Sequence, residues 1–253
     1  MAVDAAALAT WALTAGVFVL AGAVKGLLGL GLPTVSMALL ALWMPQAEAA
    51  AFLVLPALVT NLWQAGPWRE ALALLRRTAG LQVGMAAGTL GGLVVWGPPA
   101  GPTGVLLLGL ALIAYAGWGL AGRAHTLTAE QARWAGPVVG VLTGLLTALT
   151  GVFVMPVVPY LQSLGLDRAA LMRAMGLSFS TCTLALGVGL GGSSGMMVAE
   201  VGWTSAAMLV PAWLGMALGQ RLQARMPVPL FRRCFFAALA VLGGWMVLSA
   251  AGG

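Results

Sequence analysis

A single lysine lies inside a glycine-rich apolar segment, where an ionised side chain needs a partner or a cavity. Lys25 is the only lysine in the chain and belongs to GAVKGLLGLGLP at residues 22–33. A charge at the centre of a bilayer costs about 2.5–3.5 kcal/mol on insertion scales. Gly26, Gly29 and Gly31, followed by Pro33, weaken a continuous helix. The segment therefore predicts a broken helix that presents a positive charge, the alternative being a lysine that snorkels to the membrane edge.

A related segment returns in the second half of the chain as GLLTALTGVFVMP, residues 144–156. The two segments align without gaps when Gly22 is set on Gly144, which pairs Gly29 with Gly151. The prolines then differ by one position. Gly151 is expected to end a helix as Gly29 does, so the pattern indicates two repeats of about 120 residues.

Polar residues recur at matching places beyond the two predicted breaks. After a two-residue shift, Thr60 falls on Ser180 and Asn61 on Thr181. A hydroxyl on a membrane helix usually bonds its own backbone, but the repeat would direct both sets toward the breaks. The predicted binding residues are therefore Lys25, Gly26, Gly29, Gly31, Thr34, Asn61, Thr150, Gly151, Ser180 and Thr181.

The composition excludes a water-soluble globule. Hydrophobic residues make up 61% of the chain, charged residues 7%, and the mean hydropathy is +1.00. We therefore expect an all-α polytopic membrane protein in contact with lipid. The net charge of +6 comes from short loops between apolar segments, so it sets orientation and does not indicate nucleic-acid binding.

No residue pattern typical of catalysis or metal binding occurs. The chain has no H-E-x-x-H motif, and its single histidine, His125, falls in a polar loop. Cys182 and Cys234 lie in different apolar segments, which favours packing over a disulfide or zinc site. We expect no enzyme, no metal and no cofactor.

The positions of the arginines distinguish two membrane topologies for the broken segments. Segments 33–44, 135–150 and 152–163 are too short to cross a core of about 30 Å, so we predict half-helices. If each broken pair is a hairpin that returns to its own side, all eleven arginines fall on one side, which is then cytoplasmic. If the pairs cross, six of them move outside. The partition favours hairpins.

Each repeat is then one re-entrant hairpin plus three transmembrane helices, and the odd number of crossings inverts the second repeat. The hairpin tips are expected to meet near the midplane, and both termini are expected to be periplasmic. Repeat 1 covers 1–121, with the hairpin at 8–44 and helices at 47–66, 78–96 and 102–121. A cytoplasmic linker, 122–134, precedes repeat 2 at 135–253, with the hairpin at 135–163 and helices at 169–190, 200–219 and 230–250.

These segments resemble the sulfite exporter TauE/SafE family of bacterial membrane proteins. The likeness rests on GLLGLGLP (26–33) and LTGVFVMP (149–156), with support from PQAEAA (45–50) and GLDRAA (165–170). Repeat 2 has Thr150, Val152 and Phe153 where further glycines are expected. The resemblance implies a protein of the bacterial inner membrane that exports small sulfur-containing anions such as sulfite or sulfoacetate.

Alternatives to a sulfur-anion exporter are a transporter of another small anion and a non-transporting assembly or maturation factor. The oligomeric state is left open, with a homodimer as one alternative. All six acidic residues lie in loops or near predicted segment ends, so no carboxylate is placed to carry a proton across the membrane. We therefore expect anion export driven by the membrane potential.

Overall fold

The computed structural model describes residues 5–122, 126–193, 198–223 and 228–252, and within these ranges the chain is almost entirely α-helical, with no strand. This confirms the all-α prediction. His125 and the linker arginine Arg123 lie outside the described residues. The helices are α1 (Ala5–Leu28), α2 (Leu32–Leu40), α3 (Gln46–Ala65), α4 (Trp68–Arg77), α5 (Ala79–Trp96), α6 (Gly101–Ala121), α7 (Ala129–Thr150), α8 (Val157–Ser163), α9 (Arg168–Ser193), α10 (Val198–Gln223) and α11 (Val228–Gly252).

Seven of these helices are long and apolar enough to cross a membrane: α1, α3, α5, α6, α7, α9 and α11. The search covered the described residues alone, and α10 is not among the seven although it has 26 residues. Large apolar side chains are exposed around the bundle, as expected where lipid replaces water. The chain is a multi-pass membrane protein.

The first predicted break is confirmed. Helix α1 ends at Leu28, and the backbone then adopts positive φ at Gly29 (74°) and Gly31 (111°). Residues with a Cβ rarely adopt these angles, which is why glycines are needed here. Pro33 occupies the first turn of α2, where its missing N–H costs nothing. Helix α2 has nine residues and cannot span a bilayer.

The second predicted break is also confirmed, but its first arm is longer than predicted. Helix α7 ends at Thr150, the next residue Gly151 has a φ of 71°, and the seven-residue α8 follows Pro156. The half-helix predicted at 135–150 is wrong, because α7 begins at Ala129 and has 22 residues. A capping box between Thr128 and Gln131 starts the helix inside the supposed linker.

Glycines set the closest helix packing. A Cβ built on Gly215 of α10 would clash with the backbone of Val19, and one on Gly219 would clash with Ala23. The residue numbers of these contacting pairs increase together along α1 and α10, so the two helices run in the same direction. Gly26 also packs against α10, within an unbroken α1, so its predicted role in the break is wrong.

Helices α5 and α7 pack in the same way. A Cβ built on Gly84 would lie 2.5 Å from the Pro137 carbonyl, and one on Gly88 would clash with Val141. Gly92, one turn further along α5, lies against Ala148 of α7, so these glycines allow the two helices to pack closely. Helices α5 and α7 therefore also run in the same direction.

Two other pairs are antiparallel. Gly176 of α9 lies against Asn61 of α3, whereas Gly187, further along α9, lies against Val54. In the second pair, Gly109 of α6 lies against Gly243 of α11, and the later residue Gly119 lies against Phe236. Each of these pairs joins one helix from each half of the chain.

A serine ties α3 to α10 at a proline. Pro56 inside α3 has no N–H for the Phe52 carbonyl four residues earlier. The Ser205 hydroxyl of α10 donates to that carbonyl at 3.1 Å and accepts from the Leu55 amide at 2.8 Å. The ring contact of Trp63 with Trp213 continues this pairing in the same direction. Helices α1, α3 and α10 are therefore parallel, so the chain turns back between α1 and α3.

The arginines of the described ranges gather at one end of the bundle, which we call the arginine-rich end. It comprises α4, the starts of α7, α9 and α11, and the ends of α3 and α10. Arg173 at the start of α9 pairs with Glu70 of α4 at 2.5 Å. Hydropathy predicted no helix at α4, because charged residues interrupt the apolar sequence there. Helix α4 lies between α3 and α5 at this end of the bundle.

Candidate functional site

Lys25 is buried in the last turn of α1, where it is 4% exposed. Its Nζ donates a hydrogen bond to Oδ1 of Asn61 on α3, a side chain with no exposed surface. Among the described residues the ion pair of Arg173 with Glu70 is the only one, so no carboxylate neutralises Lys25. A buried ammonium with a single neutral partner is costly and favours an anion as its missing partner.

The pair keeps unused hydrogen-bond donors. An ammonium has three N–H groups, and one of them reaches Asn61. The Asn61 Nδ2 is buried and has no hydrogen-bond partner. Buried donors left without partners cost about 1–3 kcal/mol each, and an oxyanion could accept from both side chains. Lys25 and Asn61 therefore form a donor set suited to a small oxyanion.

A cavity of about 300 Å³ lies beside this pair at the first break. Its lining includes Lys25, Gly29, Gln64, Arg168 and Gln223. A second cavity of about 200 Å³ shares Arg168 with the first and adds Arg232 from α11. Both arginines are exposed, whereas Lys25 is buried. Lys25 thus lies deep in the bundle, and Arg168 and Arg232 add two positive charges nearer the arginine-rich end.

Two glutamines cover the carbonyl end of α1. Gln64 Nε2 donates to the Gly29 carbonyl at 2.8 Å and to the Met172 carbonyl of α9 at 3.1 Å. Gln223 Nε2 of α10 donates to the Leu27 carbonyl at 2.8 Å. The last carbonyls of a helix have no partner within it and carry partial negative charge. Capping them reduces their repulsion of an anion beside Lys25.

The predicted residues of repeat 1 divide into three groups. Lys25, Gly26 and Gly29 line the 300 Å³ cavity, and Asn61 holds Lys25. Gly31 lies at the break against Val24. The buried Thr34 hydroxyl has no hydrogen-bond partner, and Thr34 is not part of the cavity lining.

The predicted residues of repeat 2 do not join this cavity. The hydroxyls of Thr150 and Ser180 bond the carbonyls four residues earlier, at 2.6 and 2.8 Å. Thr181 donates to Gln82 Oε1 at 2.7 Å, in a network that links α9 to α5. Gly151 packs against Met37 of α2. The site is therefore built around the first break alone.

That the two tips meet near the midplane stays a prediction. Gly29 lies beside Gln64 and Met172, in the last turn of α3 and the first turns of α9. The second tip follows Leu149, whose carbonyl lies near Gly104 at the start of α6. Because α1 and α7 have 24 and 22 residues, each crosses most of the bundle before it breaks. The second tip also packs on the first hairpin, where Gly151 contacts Met37 of α2.

Four site residues were missed in the sequence. Gln64 follows Asn61 by three positions on α3, a spacing that places both on one helical face and was a usable signal. Arg168 served only to assign the cytoplasmic side of the membrane, together with the other arginines. Gln220 and Gln223 end α10, and only tertiary packing brings them to the cavity. No group of metal-ligating side chains occurs in the ranges that the structure describes.

The fold and this cavity define a multi-pass helical membrane protein with a buried lysine beside a broken helix. The chain belongs to the sulfite exporter TauE/SafE family, which matches residues 14–246. Comparisons with curated proteins and with solved structures found no match. The family places the protein among membrane anion exporters, which are transporters and not enzymes.

Proposed function

We propose that the protein exports a small sulfur-containing oxyanion, such as sulfite or sulfoacetate, through the cavity at Lys25. The observation that carries the proposal is the buried Lys25 amine, which has no carboxylate partner and lies beside the unbonded Nδ2 of Asn61. The cavity of about 300 Å³ has room for an anion of this size. In this proposal Lys25 supplies the charge, Asn61 orients it, and Gln64 keeps the α1 carbonyls away from the anion.

The proposed architecture is a pair of inverted repeats, residues 1–121 and 135–253. The helix directions support it: α1, α3 and α10 run one way, and α5, α7 and α9 run the other way. Under this relation α1 corresponds to α7, α3 to α9, α5 to α10 and α6 to α11. An inverted repeat requires antiparallel packing where equivalent helices meet, as α3 meets α9 and α6 meets α11.

The proposed orientation in the bacterial inner membrane puts the arginine-rich end in the cytoplasm and both termini in the periplasm. The cavity at Lys25 would then open toward the cytoplasm through Arg168 and Arg232. At the second tip, Val152, Phe153 and Val154 are buried, which would close the periplasmic side. Alternating access would consist of opening that tip while the lysine cavity closes.

The proposed driving force is the membrane potential. Glu48, Glu70 and Glu130 lie in the first turns of helices, and Asp167 precedes α9. Among the described carboxylates, none is placed for a proton relay across the bundle. Moving one negative charge outward from a negative cytoplasm gains about 2.3 kcal/mol per 100 mV, roughly a fiftyfold concentration ratio.

A thermal-shift screen on the purified protein tests the proposed substrate class. Sulfite and sulfoacetate should raise the melting temperature, and chloride and phosphate at equal ionic strength should raise it less. A larger shift with phosphate or chloride would favour a transporter of another small anion. Binding without flux in proteoliposomes would favour an assembly or maturation factor instead.

A further inference from the structure

A second basic groove lies on the outside of the bundle, away from the lysine cavity. It has a volume of about 640 Å³ and lies between the starts of α5 and α7, with α8 along one side. Arg76, Arg77 and Arg133 line it together with Trp134 and Tyr160. It shares no lining residue with either cavity at the first break. The groove therefore needs an explanation apart from anion transport.

The groove carries three positive charges and no negative one. The three arginines are exposed, and in the described parts of the chain their side chains take part in no ion pair or hydrogen bond. No acidic residue belongs to the lining. Glu130, in the first turn of α7, lies outside the lining, and Glu70 is paired with Arg173. The charges are thus available to an anionic ligand.

The position of the groove places it at the boundary between lipid and water. Trp134 is 75% exposed and Trp68, on the adjoining α4, is 70% exposed. Tryptophans are enriched at this depth because the ring is apolar and its N–H is polar. One turn beyond Trp134, Val138 is 60% exposed on the membrane-spanning part of α7, and Val141 on the same helix is 39% exposed. Apolar surface therefore continues from the arginines along the bundle.

We propose that this groove binds the headgroup of an anionic phospholipid. Arginine matches a phosphate with two parallel hydrogen bonds, and three arginines could hold more than one phosphate oxygen. The acyl chains would follow the exposed Val138 and Val141 of α7. A soluble anion would gain nothing from that apolar surface, so a lipid is the occupant that fits both halves of the groove. A bound lipid would join α4 and α5 to the second hairpin, where Tyr160 of α8 already bonds the Ala132 carbonyl at 2.8 Å.

Binding of phosphatidylglycerol to the full-length protein in non-ionic detergent tests the proposal, with native mass spectrometry and melting temperature as readouts. Each arginine near a membrane surface contributes about fivefold in lipid affinity. Arg76→Gln/Arg77→Gln/Arg133→Gln should therefore weaken phosphatidylglycerol binding about a hundredfold. Phosphatidylcholine should bind weakly to both proteins.

The matched control removes the same three charges elsewhere at the arginine-rich end. Arg69→Gln/Arg221→Gln/Arg233→Gln changes residues that do not line the groove, and it should retain phosphatidylglycerol. Lysines in place of the three groove arginines should restore most of the binding.

Three results would overturn the proposal. The first is equal loss of lipid in the two glutamine triples, which would indicate general charge attraction. The second is the same melting shift from inorganic phosphate as from phosphatidylglycerol, which would indicate a free-anion site. The third is unchanged lipid binding in the groove triple. If that triple does not fold, Arg133→Gln should lose about fivefold and Arg133→Lys should not. Equal binding by those two single variants would also contradict the proposal.

Discussion

Replacing Lys25 by methionine should weaken anion binding and leave the fold intact. Methionine keeps an unbranched side chain of similar length but carries no charge. The ammonium is 4% exposed and bonds Asn61, so the change removes a buried charge together with one hydrogen bond. Binding and stability should therefore respond in different ways.

The expected loss of affinity follows from the bonds that Lys25 could make to an oxyanion. A hydrogen bond to a charged group contributes about 1.5–3 kcal/mol, which corresponds to about 10- to 150-fold in dissociation constant. The unfolding free energy should change less. Removing a buried, unpaired charge relieves a desolvation penalty of several kcal/mol, and leaving Asn61 Oδ1 unbonded costs about 1–3 kcal/mol. The empty Lys25→Met protein should therefore melt at or above the wild-type temperature.

The assay is a titration of sulfite into purified protein, followed by calorimetry and by melting temperature. The matched control is Thr147→Val, because Thr147 aligns with Lys25 in the repeat but lies outside the lysine cavity, where its hydroxyl donates to the Thr143 carbonyl at 2.7 Å and contacts the Cys182 thiol. That variant should bind sulfite like the wild type. A Lys25→Met protein with wild-type affinity for sulfite would refute the assigned role of the lysine.

Three further predictions concern packing, the proline contact and topology. Gly84→Ala should lower the unfolding free energy by about 1–3 kcal/mol because the new Cβ meets the α7 backbone, whereas Gly91→Ala, with open space around it, should be neutral in thermal denaturation. Ser205→Ala should lower the unfolding free energy by about 0.6–1.7 kcal/mol. The loss should be smaller in a Pro56→Ala background, because the alanine amide can donate to the Phe52 carbonyl. Equal losses in the two backgrounds would contradict the contact of Ser205 with that carbonyl. A C-terminal alkaline phosphatase fusion should be active and a C-terminal fluorescent protein fusion dark, and the reverse result would remove the proposed orientation.

The breaks were predictable because they depend on local chemistry. Gly29, Gly31 and Pro33 restrict the backbone whatever surrounds them, and Gly151 does the same in the second half. Hydropathy was enough for the membrane class, since an apolar surface of this extent must face lipid.

The length of the helix before each break could not be predicted from local sequence in the same way. It depends on where the first arm starts, and for α7 the start is set by a capping box inside a polar stretch that hydropathy treats as a loop. The short helix α4 was missed for a similar reason, because its charges hide a helix that packs against α9.

The binding site was predictable in its charge but not in its surroundings. Lys25 stood out because it is the sole lysine in an apolar segment. Asn61 was found through the repeat, yet its bond to Lys25 depends on how α1 and α3 pack. Gln223 caps an α1 carbonyl from 196 positions away, and no local pattern indicates such a contact. The symmetry that pointed to Thr150 and Thr181 did not extend to the chemistry of the site.

Sulfite flux from proteoliposomes under an imposed potential tests whether the protein exports sulfite by a potential-driven route through Lys25. Vesicles loaded with labelled sulfite, at equal pH on both sides, receive a potassium–valinomycin potential of either sign. Efflux should accelerate when the interior is negative and slow when it is positive, and in Lys25→Met it should fall to the level of empty-vesicle leakage. Sulfite flux that ignores the potential and follows an imposed pH gradient, or flux no greater than in protein-free vesicles, would contradict this mechanism.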